Sequence, residues 1–153
     1  MAKDQAANDP WYEGGLRFEC TGCGDCCSGA PGAVWLNREE QENLARFLEL
    51  DLDVFNYRYT RRLGMRRALH ERSSGDCCFF DPIDRRCVVY EARPVQCRTY
   101  PFWDKHVAAA SAWAKLKEQC EGAREPQVAI VSVEAIRARA RAHRQARAAD
   151  GSA

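Results

Sequence analysis

The chain lacks most features that would place it in a familiar class. No run approaches the roughly 20 apolar residues that cross a bilayer, and the mean hydropathy is -0.54, so no membrane partner is expected. The opening Met1-Ala2-Lys3-Asp4-Gln5 has no apolar h-region, so no secretory signal is expected and the default compartment is a reducing cytoplasm. Charge of one sign is missing too. Lys and Arg total 23 against 22 Asp and Glu, a net +1, which gives no global attraction for a polyelectrolyte. Histidine is scarce: His70, His106 and His143 are isolated, and each reads as a surface or packing residue. There is no Ser/His/Asp set at a recognisable spacing and no internal repeat. Gly29-Ala30-Pro31-Gly32 lacks the Lys-Ser/Thr of a phosphate loop and reads as a turn.

What the chain has is cysteine. Cys20, Cys23, Cys26 and Cys27 fall within eight residues, and Cys77, Cys78, Cys87, Cys97 and Cys120 come later. Nine in 153 residues is about 6%, below the 8–10% of a disulfide scaffold. The odd count also disfavours complete pairing. Thiolates are soft anionic ligands suited to zinc and to iron–sulfur centres. Cys-x-x-Cys brings two thiolates onto one metal, and Cys20, Cys23 and Cys26 extend this spacing to three. Gly22, Gly24 and Gly29 let the loop turn tightly. Adjacent side chains are expected to diverge, so Cys26 and Cys27 point to two centres rather than one. Adding Cys77, Cys87, Cys97 and Cys120 makes eight ligands, enough for two four-coordinate sites. Cys78 is left over and reads as a packed thiol. Such sites carry negative charge, and Arg17, Arg85, Arg86, Arg93 and Arg98 flank the cysteines as counter-charges.

The rest of the chain predicts a small α+β domain stabilised by metal, with several helices, a Cys-rich N-terminal loop and a short β-hairpin. Residues 1–15 form a flexible N-terminus, polar and disordered over 1–10, with Trp11 and Tyr12 able to anchor the chain ahead of the first cysteines. Residues 16–123 form the Cys-rich domain, and 124–153 an Arg/Ala-rich terminal helix packed on it or extending from it. A helix starts at Asn37, with Glu40 completing a capping box and Leu44, Phe47 and Leu48 as its apolar stripe. A second helix spans Asp53 to Leu63, ended by Gly64; residues 65–72 fit strand or helix. Residues 77–80 and 86–90 form a hairpin across Asp81-Pro82-Ile83-Asp84, which turns Cys77 and Cys78 to opposite faces. Pro94 opens a short helix carrying Cys97, and Tyr100-Pro101-Phe102-Trp103 is a compact aromatic loop. Trp113, Leu116 and Cys120 share a helix face. The last helix starts near Ser132, buries Val133, Ile136 and Ala140, and frays after Ala148. Tyr57, Tyr59, Trp103 and Trp113 read as core or loop anchors. The Arg clusters at 58–72 and 137–147 read as solvated faces, so nucleic acid is disfavoured as a partner.

Phe18-Glu19-Cys20-Thr21-Gly22-Cys23-Gly24-Asp25-Cys26-Cys27, Cys77-Cys78-Phe79-Phe80-Asp81, the stretch from Arg86-Cys87 through Arg93-Pro94-Val95-Gln96-Cys97-Arg98 to Tyr100-Pro101-Phe102, and Trp113 with Cys120 occur in that order. In this the chain resembles the YkgJ-type cysteine-cluster family, the zinc- or iron-chelating CxxCxxCC domain, over about residues 16–122. The resemblance implies zinc or iron as cofactor, including an iron–sulfur cluster, and Cys77 rather than Cys78 as the patterned residue. Relatives usually continue after the last cysteine with a Pro-Gly turn; here Cys120-Glu121-Gly122 stands in its place. Metal ions are the implied partners, and an unidentified protein partner fits the same pattern. Two other functions stay open. One is an iron–sulfur oxidoreductase or a component of a protein methyl-transfer system, since some longer relatives are associated with lysine methylation of flagellin. The other is a structural zinc module binding protein or nucleic acid.

Overall fold

A computed structural model describes residues 10–24, 26–27 and 33–148. The disorder expected over 1–10, apart from Pro10, the turn at 29–32 and the frayed end after Ala148 lie outside the described residues. Along the chain the elements are β1 (Leu16–Arg17), β2 (Trp35–Leu36), α1 (Arg38–Phe47), α2 (Leu52–Tyr59), β3 (Thr60–Leu63), β4 (Arg66–Leu69), β5 (Phe80–Asp81) and β6 (Arg86–Cys87). A 3₁₀ turn at Tyr90–Ala92 precedes α3 (Val95–Thr99), α4 (Asp104–Val107), α5 (Ala110–Gln119), α6 (Glu121–Arg124), β7 (Ile130–Val131) and α7 (Val133–Ala148). This is a mixed α+β protein with short antiparallel sheets. It divides into two compact units, the first of residues 1–21 and 101–141, the second of 22–100 and 142–153.

In the first unit β1 pairs antiparallel with β7, Leu16 opposite Val131. The Trp11 indole N–H donates to the Val107 carbonyl at 2.8 Å, so Trp11 does anchor the segment ahead of Cys20. Phe102 is fully buried and stacks on Trp113, ring centroids 5.6 Å apart. Leu116, Cys120, Ala123, Ile136 and Ala140 are buried as well, so the stripes of α5 and α7 fall where their spacing places them except at Val133, which is half-buried. Cys120 sits one residue past α5, and its N–H still bonds the Leu116 carbonyl.

The second unit is built on α1. Asn37 Oδ1 accepts the Glu40 N–H at 2.8 Å and Glu40 Oε2 accepts the Asn37 N–H at 2.9 Å, which closes the capping box. Asn37→Ala should therefore cost about 0.5–2 kcal/mol in chemical denaturation. The second helix is shorter than expected. It ends at Tyr59, and residues 60–63 form β3, paired residue for residue with β4 from Thr60↔Leu69 to Leu63↔Arg66. The reason is the turn. Gly64 at φ 66 and Met65 make a two-residue loop, the kind of connection that joins twisted antiparallel strands. β4 also pairs with β2, giving the order β2-β4-β3. Leu36, Leu44, Ala45, Phe55, Leu69, Phe79 and Val89 form the core of this unit. Phe55, Tyr59 and Phe79 pack ring on ring within it. Tyr57 is 88% exposed and is no core anchor, contrary to the sequence expectation. The first Arg cluster is engaged locally, with Arg66 over the Trp35 ring, Arg67 on the Thr60 hydroxyl and Arg61 on Glu71.

Candidate metal centre

Several local devices place the cysteines of the second unit. Gly24 has φ 80, and a Cβ there would lie 2.2 Å from Phe80 Cε2, so the loop needs glycine both for conformation and for space. The Cys27 N–H bonds the Gly24 carbonyl, and the Cys27 carbonyl in turn accepts the Cys77 N–H at 2.8 Å. That bond fixes the cysteine loop against the strand segment carrying Cys77, which also bridges to Glu71. Cys87 is set by its register opposite Phe80 in the β5–β6 hairpin. The turn of that hairpin is held by Asp81 Oδ1, which accepts the N–H groups of Ile83 and Asp84. The paired strands are two residues each, shorter than the sequence predicts.

Cys97 rides on α3, which α1 holds in place. Glu40 Oε1 accepts the Val95 N–H at 2.8 Å, so the carboxylate that closes the capping box also caps the helix of Cys97. Gln96 adds two ties, donating to the Ala33 carbonyl and accepting from the Trp35 N–H. Sequence reasoning found the capping box but not this second use of Glu40, because the contact spans 55 residues.

These devices bring together Cys26, Cys27, Cys77, Cys87 and Cys97. The Cys26 and Cys27 sulfurs are 3.9 Å apart. The divergence expected of neighbouring residues is thus not found. Two ligands of one tetrahedral zinc with Zn–S near 2.3 Å stand about 3.8 Å apart, so this pair fits a single ion. Cys27 also hydrogen-bonds Cys87, and that bond holds the Cys87 thiol down at about 7. Cys26 is lowered by its hydrogen bond with Cys27, while Cys27 is pushed far up by its bonds with Cys26 and Cys87 and by burial. Burial raises Cys97, and the charges of Cys26, Cys77 and Cys87 raise it further. The thiolates thus oppose one another's ionisation, the condition a bound cation relieves. Among the described residues, no three His, Cys, Asp or Glu side chains are placed as a group that could hold a metal ion. The donor set fits a soft cation by its chemistry: sulfurs from four separate stretches with arginines beside them.

Of the flanking arginines, Arg93 favours the thiolates of Cys26 and Cys87 by charge. Arg86 lies 3.8 Å from Asp84, and Arg17 belongs to the first unit, where it donates to the Val128 carbonyl. Arg72, which the sequence places only in an Arg cluster and not among the counter-charges, donates to the carbonyls of Phe80 and Cys78 and favours ionised Cys77. Its signal was its place in an Arg-rich stretch five residues before Cys77. The Cys78 thiol lies 3.7 Å from the Tyr59 carbonyl and also hydrogen-bonds Cys77, so these two neighbours do not turn to opposite faces as expected, and the bond pushes Cys78 up and Cys77 down. Cys23 is half-buried and lies in the same unit.

Cys20 and Cys120 belong to the first unit. The Glu19 N–H bonds the Gly122 carbonyl at 3.1 Å and the Thr21 hydroxyl meets Glu121 Oε2 at 3.4 Å, so the chain around Cys20 runs alongside the chain after Cys120. A Cβ on Gly122 would lie 2.1 Å from the Glu19 carbonyl oxygen. Because that neighbour is backbone, Gly122→Ala should cost about 1–3 kcal/mol and lower the metal retained after gel filtration. Unchanged stability in thermal unfolding would contradict this close approach.

The fold is a small α+β one that carries a cluster of free thiols on short, individually pinned segments. The chain belongs to the CxxCxxCC family, described as a "Putative zinc- or iron-chelating domain", whose model matches residues 19–121. It is also similar to the uncharacterized protein MJ0661 of Methanocaldococcus jannaschii, 28% identical over 91 residues, which is 60% of this chain and 48% of that protein. The chain thus matches about half the length of that relative. No solved structure matches. Among the described residues, no helix is long and apolar enough to cross a membrane.

Proposed function

We propose that this protein holds zinc or iron through the thiolates of Cys20, Cys23, Cys26, Cys27, Cys77, Cys87, Cys97 and Cys120. The observation that carries the reading is the approach of Cys26, Cys27, Cys77, Cys87 and Cys97 within one unit, with Arg93 and Arg72 placed to offset their charge. Zinc and iron–sulfur centres both use such donors. The arginines would moderate the negative charge of a thiolate centre and tune it by hydrogen bonding.

Cys87→Ser tests the assignment. Serine keeps the size and the hydrogen-bond donor but is a poor ligand for a soft metal. The variant should lose at least one metal equivalent per chain by elemental analysis, whereas Cys78→Ser should keep the full complement. Equal metal content in Cys87→Ser and the parent would sink the reading. Affinity should also fall as pH is lowered, because Cys27 and Cys97 must shed protons to bind and their protons are held more tightly than in a free thiol.

A further inference from the structure

A cleft of about 370 Å³ in the second unit lies between α1, the 3₁₀ turn and α3, and no cysteine lines it. Its lining includes three arginines, Arg46 on α1, Arg93 just after the 3₁₀ turn and Arg98 on α3, with Phe47 and Ala92 as apolar residues. Two carboxylates also line it. Glu40 is committed elsewhere, since both its oxygens accept backbone N–H groups, from Asn37 and Val95. Glu91 is exposed. Among the described residues none of the three arginines is ion-paired to a carboxylate. Arg46 donates to the Asn43 side-chain oxygen at 3.2 Å. Arg93 stacks on Tyr90 and donates to its carbonyl through Nε, which leaves its terminal nitrogens available.

Against the two carboxylates, the three arginines leave the lining with one positive charge in excess, and an oxyanion can accept their charge-assisted hydrogen bonds. The volume is within the range of small-ligand sites. From this we infer that the cleft binds a small anion bearing phosphate or carboxylate groups, held by Arg46, Arg93 and Arg98 with any apolar portion against Phe47. The inference goes beyond metal chelation and does not depend on which metal the thiols hold.

The test is a two-dimensional amide NMR titration of the as-purified protein, with inorganic phosphate and succinate as separate probes at constant ionic strength. Saturable shifts at the amides of Asn43, Phe47, Ala92 and Arg98 are expected with at least one probe. Phosphate alone would assign a phosphate-bearing ligand and succinate alone a carboxylate-bearing one. In the Arg46→Gln variant, affinity should drop about tenfold or more; Arg98 is kept because it adjoins Cys97. Arg93 is left intact because it also faces the thiols. Metal content, measured on the same samples, should not change, so failure of the cleft and failure of the metal centre read out separately. No saturable shift with either probe, or shifts that persist at full affinity in the Arg46→Gln variant, would overturn the inference.

Discussion

Removal of bound metal by a chelator, under reducing conditions, should lower the melting temperature by more than about 10 °C. The second unit has a core of its own, Leu36, Leu44, Ala45, Phe55, Leu69, Phe79 and Val89, so chelation is not expected to unfold the protein outright as it does a zinc finger. The cysteine segments are another matter. Their strands are two residues long, α3 has five residues, and the loop at Cys26–Cys27 is held by a few backbone bonds. Elements this short do not persist without tertiary support. Structural zinc contributes about 10–16 kcal/mol in peptides that have nothing else. A few kcal/mol of that, shared with an existing core, converts to the stated shift at about 2–4 °C per kcal/mol for a chain of this size. Calorimetry of the loaded and stripped protein gives the answer, and identical melting curves would mean the thiols do not hold a structural ion.

Phe55→Ala should cost about 3–5 kcal/mol. Phe55 is completely buried, lies centrally in the core and packs ring against ring with Tyr59 and Phe79. Phe79 in turn accepts the Val88 N–H through its carbonyl and lies between the segments of Cys78 and Cys87. Removing Phe55 leaves a cavity the short surrounding elements cannot close without moving. Denaturant titration should show the midpoint fall in both the loaded and the stripped protein. A loss confined to the loaded form would mean that Phe55 acts through the metal site and not through the core.

These two effects mark how far the sequence could be read. Local chemistry was legible: the capping box at Asn37 and Glu40 rests on two side chains three residues apart, and the glycines at 22 and 24 carry the positive φ that a tight cysteine loop needs. The buried stripes of α5 and α7 come from helical spacing. The end of α2 differs from the sequence reading because Gly64 serves as the turn of a hairpin and not as a helix stop, and residues 65–72, which fit strand or helix, supply the partner strand β4. The 16–17/130–131 pairing was missed because two-residue strands carry no periodicity. At the centre, spacing identified the thiols. It could not show that Cys26 and Cys27 turn their sulfurs toward each other, that Arg72 braces the hairpin through two carbonyls, or that Glu40 reaches across to the helix of Cys97. Those contacts depend on tertiary placement and leave no local signature.

The central claim is that the cysteines form a metal centre, and the direct measurement is metal and acid-labile sulfide per chain in protein purified without oxygen, with an absorption spectrum of the same sample. The account predicts zinc or iron in at least stoichiometric amount. Iron with matching sulfide and visible charge-transfer bands identifies a cluster, and colourless protein with zinc identifies a zinc site. Protein that is folded, fully reduced and free of both metals, and that takes up neither on reconstitution, would contradict it.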